Sequence, residues 1–127
     1  MNSKSGENKG GITVSDESIL ILTARTALET EGVAGLSGLL TEVITDKIAK
    51  NFHLKESASK GIRLSKGDDG YTLDIYITVD YDVNIPTVAF NLQKNVRNRV
   101  KSAFDIKVNA VNVRVQGVKF PQDNRRI

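Results

Sequence analysis

The amino-acid sequence predicts an α+β fold, a two-layer domain in which amphipathic helices pack on one face of a mixed β-sheet. Three observations predict it. Residues 71–81 alternate strictly, with Tyr71, Leu73, Ile75, Ile77, Val79 and Tyr81 on one side and Thr72, Asp74, Tyr76, Thr78 and Asp80 on the other, the period of a half-buried strand. Residues 85–104 set Ile85, Val88, Ala89, Leu92, Val96, Val100, Ala103 and Phe104 in one stripe at helical spacing, the pattern of a helix covering a core. Shorter signals around these two complete the order β-α-α-β-β-α-β, a mixed pattern that suits a sheet with helices over one face.

Residues 1–10 read as a flexible polar leader, 11–120 as one folded domain and 121–127 as a polar tail containing Arg125 and Arg126. Ile12-Thr13-Val14 is a short strand candidate, and Ser15 then stands as an N-cap, with Asp16 and Glu17 where acids suit the helix dipole. The first helix is expected over 16–30. Its apolar residues, among them Ile19, Leu20, Ile21, Leu22, Ala24, Ala27 and Leu28, occupy most of the circumference, which implies burial on two sides or a subunit contact. Gly32 to Gly38 break that helix, and Leu39, Leu40, Val43, Ile44, Ile48 and Phe52 continue at the spacing of a second amphipathic one.

Gly61 to Ser65 is a strand candidate, joined to the long alternating strand by Lys66-Gly67-Asp68-Asp69-Gly70, whose residues tolerate turn geometry. Asn84 can cap the third helix, with Pro86 in its first turn. The last strand is expected within 107–120, where Val111, Val113 and Val115 alternate with Asn112, Arg114 and Gln116.

Bulk properties narrow the classes of function. A chain of 127 residues with 39% hydrophobic and 26% charged residues can bury a core without metal or disulfide support. Its net charge of +3 is a small imbalance that does not by itself mark a nucleic-acid binder. The absence of cysteine excludes disulfides, thiolate metal sites and cysteine nucleophiles, and the cytosol is the simplest compartment. Met1 to Gly10 has no apolar signal segment, and no run approaches the ~18 apolar residues needed to span a bilayer.

The chain resembles the bacterial alkaline shock protein family, the envelope stress response proteins of Gram-positive bacteria, and in particular its short YloU-like members. The resemblance rests on Gly11-Ile12-Thr13-Val14-Ser15 before a helix, on Gly32-Val33 with Gly35 after it, and on Gly61-Ile62-Arg63-Leu64 before the long strand. It continues through Val79-Asp80-Tyr81, Ile85, Val88-Ala89, Gln93 and Val96 to Val111-Asn112-Val113-Arg114-Val115-Gln116-Gly117-Val118. One position departs: where the family tends to carry Gly after the tyrosine that ends the long strand, this chain has Asp82, a residue that also tolerates turns. The resemblance implies a non-enzymatic cytoplasmic protein, recruited to the membrane by an anchor protein and tied to envelope or lipid homeostasis, with no cofactor.

The residues themselves offer little catalytic chemistry. His53, the single histidine, has no cysteine or serine motif to serve and reads as a residue near a helix C-terminus. Gly32, Gly35 and Gly38 precede a helix but lack the Lys-Ser/Thr pair of a phosphate loop, so a tight break explains them. Asp68 and Asp69 lack the further oxygen ligands of a calcium loop. No catalytic, metal or cofactor residue is assigned.

A binding surface is the better candidate, because on the third helix 100° per residue puts Phe90, Lys94, Arg97 and Lys101 on one ridge beyond the apolar stripe. That ridge suits a protein partner, including self-association or a membrane-anchored adaptor. The alternative is a small nucleic-acid-binding module using the same basic helix face. On the polar side of the sheet, Asp74, Tyr76 and Thr78 are expected near Arg114 and Gln116 as ordinary cross-strand pairs.

Overall fold

Ser15 starts the first helix as its side chain predicts, its hydroxyl accepting a hydrogen bond from the Ser18 N–H at 3.1 Å, and the helix, α1 (Asp16–Glu29), carries its acids in the first turn. The computed structural model describes residues 14–36 and 61–121. Within them follow β1 (Val33–Leu36), β2 (Ile62–Gly67), β3 (Gly70–Asp80), α2 (Ile85–Phe104) and β4 (Val108–Lys119). The third helix expected from the sequence is therefore α2. The expected second helix, the Ile12-Thr13 part of the first strand, the leader and the residues after Pro121 lie outside the described residues.

The fold class holds: helices cover a mixed four-stranded sheet. β3 is its centre. β4 runs parallel to β3 from Tyr71↔Val108 to Asp80↔Lys119, and α2 supplies the crossover that parallel pairing requires. On the other edge of β3, β2 pairs antiparallel with residues 70–75 and β1 with residues 77–79, so the two short strands share that edge end to end. Asp68 and Asp69 form the two-residue β2–β3 turn. β1 was not anticipated. Val33-Ala34-Gly35-Leu36 is too short to display alternation, and its glycines read as a break.

Alternation along β3 predicts its burial correctly at Leu73, Ile75, Ile77 and Val79, all fully buried. α2 covers them with Val88, Leu92, Val96 and Val100, and burial of each such side chain is worth about 1.5–3 kcal/mol. The expected apolar stripe is narrower in the structure: Ile85, in the first turn, is 39% exposed and Ala103 is exposed, while Phe104 beside it packs against the core. Tyr81 likewise falls beyond β3 and is 52% exposed. Asn84 caps α2 by accepting from the Thr87 N–H at 3.0 Å.

α1 is buried on two sides within the chain, one of the two alternatives its composition allows. Ala24 and Ala27 face the core, while Ile19, Thr23 and Thr26 are buried on the adjacent arc. The threonines are accommodated because Thr23, Thr26 and Thr30 each donate their hydroxyl to the carbonyl four residues earlier at 2.8 Å, leaving a methyl group to pack. Gly32 then turns the chain at φ +94, and a Cβ there would lie 2.5 Å from a methyl of Val88. Glycine is required by both the turn and the approach of α2. Asp82 sits at φ 66, the left-handed conformation that the glycine of the family pattern would adopt without strain.

Candidate functional site

Each flank of α2 is tied to a neighbour by polar side chains. On one side Asn95 donates to the Thr30 hydroxyl at 3.2 Å and Arg99 pairs with Glu29 at 3.2 Å, fixing α2 to the end of α1. On the other, Gln93 donates its amide to the Val111 carbonyl at 2.9 Å and Arg97 donates to the Asn109 carbonyl at 3.3 Å, fixing α2 to β4. These bonds leave the outward ridge of α2 between them.

That ridge brings together two of the four residues expected to share it. Phe90 is 61% exposed, and the Lys94 ammonium lies 5.8 Å from its ring centroid, a cation–π pair on the surface. Arg97 leans to the β4 edge, and Lys101 pairs with Asp105 at 2.9 Å across one helical turn. All four are exposed, but Phe90 and Lys94 carry the ridge with no acid engaged.

The charge around this surface exceeds what the whole-chain balance suggests. Between Ile85 and Lys119 the cations are Lys94, Arg97, Arg99, Lys101, Lys107, Arg114 and Lys119, and the acid is Asp105. A net charge of +3 for the chain conceals this asymmetry, because acids before Ile85 offset it. The signal was legible as an acid-free run across α2 and β4 interrupted once.

The polar face of the sheet agrees with its plainer reading. On the polar side of the sheet Asp74 accepts from the Asn112 amide at 2.8 Å, Tyr76 stands in register with Arg114, and the Arg63 guanidinium lies 5.9 Å from the Tyr76 ring centroid. Cross-strand pairing therefore describes this face, with Gln116 displaced into an irregularity between Val115 and Gly117. Gly32 precedes β1 and Gly35 lies within it, so a strand stands where a break between two helices was expected; Gly38 and His53 lie outside the described residues. Among the described residues no three His, Cys, Asp or Glu side chains are grouped to hold a metal ion. No helix among them is long and apolar enough to cross a membrane.

One further cluster escaped the sequence reading. Tyr81 and Phe120 place their rings 5.1 Å apart at the end of β3 and β4, and Phe120 is 66% exposed. Val118 and Ile85, each 39% exposed, stand at the same end. Single exposed apolar residues are ordinary, whereas several at one end of a sheet form a patch.

Residues 4–120 match the alkaline shock protein 23 family, described as having a cell envelope-related function. The chain is similar to YqhY of Bacillus subtilis, an uncharacterized protein, with 29% identity over 111 residues, 87% of this chain and 78% of that one. Its similarity to the uncharacterized Spy1614 of Streptococcus pyogenes serotype M6 is 30% over 124 residues, 98% of this chain and 100% of that one. A Streptococcus pyogenes stress response regulator gls24 homolog is 25% identical over 87% of this chain and 60% of its own length. Among solved structures the MamM-CTD H285A domain aligns with a TM-score of 0.48 and 14% identity, covering 81% of this chain and 98% of that one. With the family pattern running from the leader through β4, the chain belongs to the alkaline shock protein 23 family of cell envelope-related proteins.

Proposed function

We propose that this chain is a non-enzymatic interaction protein that serves the envelope stress response from the cytoplasmic side, docking a protein partner on the outer ridge of α2. The observation that carries the reading is the Phe90–Lys94 pair, an exposed aromatic with a cation over its ring, standing on a helix without a single acid. Such a surface suits an acidic protein, because the aromatic supplies apolar contact area and the cations supply steering. The family's envelope-related description and the stress-response naming of the gls24 homologs support the setting. Recruitment to the membrane periphery then runs through an adaptor bound at this ridge.

The test replaces Phe90→Ser and Lys94→Glu together and compares crosslinked complexes recovered from the native cell by mass spectrometry. Crosslinks from α2 to an acidic partner should disappear while the variant keeps its melting temperature. Identical crosslinks from α2 in both proteins would remove the ridge from the contact.

A nucleic-acid-binding module, expected above on the basic helix face, is the second reading, and it is favoured at a different place, where Arg63 lies over the Tyr76 ring and Arg114 stands in register with Tyr76 on the polar face of the sheet. It predicts affinity for single-stranded RNA or DNA that falls steeply with salt, with a shallower slope in Arg114→Ala. No binding at low salt counts it out.

A further inference from the structure

The polar bonds between α2 and β4 close only half of the β4 edge. The Tyr71 N–H donates to the Lys107 carbonyl, so the odd residues of β3 address β4, and the even ones address β2 across the Gly67–Gly70 hairpin. In the parallel register of β4 from Ala110 to Val115, the even residues answer β3, and Val111, Val113 and Val115 turn their N–H and C=O groups to the outer edge. Val111 is answered by Gln93, and Arg97 guards the strand start at Asn109. Among the described residues Val113 and Val115 have no partner on that edge.

The two bonds from α2 also reveal what lies beside the open half. Four helical steps, from Gln93 to Arg97, match two strand steps, from Val111 to Asn109, because the first rise about 6 Å and the second about 6.7 Å. Continuing that antiparallel register brings Ala89 and Phe90 alongside Val113, and Ile85 and Pro86 alongside Val115. The open backbone is thus flanked by Phe90, Ile85, Val118 and Phe120, which are all exposed. Natural sheets usually block an exposed edge; here one half is blocked and the other is bordered by apolar side chains.

We infer that the β4 edge at Val113 and Val115 takes up an extended acidic segment of a partner protein as an added strand. The unpaired backbone groups require a polypeptide, since neither a nucleic acid nor a lipid headgroup offers alternating N–H and C=O donors and acceptors at strand spacing. The charge favours an acidic polypeptide, because β4 carries Arg114 and Lys119 and no Asp or Glu, and Lys94 follows Gln93 on the helix beside it. That same charge disfavours a second copy of the chain, whose β4 would bring its own cations to the contact. The inference rests on the interaction reading above and gives the partner's contacting segment its chemistry.

The experiment uses the full chain, labelled with nitrogen-15, and a short blocked peptide alternating Glu and Val as probe. Saturation with the peptide should slow amide exchange at Val113 and Val115 by about tenfold. A peptide N-methylated at every second residue, or one with Lys in place of Glu, should bind about tenfold more weakly. Val115→Pro, which removes an outward N–H that β3 does not use, should lose the same factor. Equal binding by the N-methylated peptide overturns the inference, and needs no variant to fold. Shifts confined to the neighbourhood of Phe90 and Lys94, without protection of Val113 and Val115, overturn it too while leaving the ridge reading standing. Concentration-dependent protection of these amides without peptide overturns it in favour of self-association.

Discussion

α1 and α2 solve the problem of covering one sheet in opposite ways. α1 is embedded over a wide arc, Ile19, Thr23, Ala24, Thr26 and Ala27, and small or methyl-bearing side chains let it sit close to its neighbours. α2 buries a single row, Val88, Leu92, Val96 and Val100, and holds its flanks with Asn95 and Arg99 on one side and Gln93 and Arg97 on the other. The difference teaches how a helix can be both structural and presenting. Four apolar residues anchor α2, polar side chains orient it, and its remaining surface is available for contact.

The sharpest way to break that contrast is at the centre of the row. Leu92 is fully buried and faces the core cluster of β3. Leu92→Ala removes its burial and leaves a cavity, and should cost about 3 kcal/mol, within the usual span of roughly 2–5. Urea unfolding measures it. A loss below about 1 kcal/mol would mean that α2 is held by its flanks and not by its row.

Gly32 sharpens the comparison where the two helices meet, since it ends the α1 connection and lies under Val88 of α2. Gly32→Ala places an L side chain at φ +94 and 2.5 Å from a valine methyl, two penalties of about 1–2 and 1–3 kcal/mol. An overall loss of about 2–3 kcal/mol is expected in the same unfolding measurement. Adding Val88→Ala should recover the steric share, so that the double variant is less destabilised than the two single losses added together. Strict additivity would show that the approach of α2 is not what demands glycine there.

These packing modes were unequally legible. α2 and β3 were readable because a long element repeats its period often enough to stand out, and because Asn84 and Pro86 mark the helix start. β1 was not, since four residues including Gly35 show no period and gain strand structure only by pairing with Ile77 to Val79. The burial of Thr23, Thr26 and Thr30 was hidden for a different reason. Their hydroxyls are satisfied by their own helix, so they behave as apolar residues that composition counts as polar. For the ridge, the helical wheel placed Phe90, Lys94, Arg97 and Lys101 correctly on the exposed side. It could not foresee that Arg97 reaches the Asn109 carbonyl, because that contact depends on where β4 lies. The open half of the β4 edge was illegible for the same reason, although the lack of acids from Ile85 to Phe104 was in plain view.

The smallest expected effect completes the contrast within α2 itself. Phe90 lies two residues from Leu92, but its ring is 61% exposed and meets the Lys94 ammonium at 5.8 Å, a contact worth about 0.5–1 kcal/mol at an exposed site. Phe90→Ser deletes that contact, yet it also removes an apolar ring from water, and serine and phenylalanine have similar helix propensities. The net change in unfolding free energy should therefore stay within about 0.5 kcal/mol, against about 3 for Leu92→Ala. A loss above about 1 kcal/mol would mean that Phe90 packs into the fold, and the ridge would then lose the aromatic on which a partner is proposed to dock. Near-neutral stability combined with lost crosslinking would instead place Phe90 among residues kept for contact, at no cost to the fold that carries them.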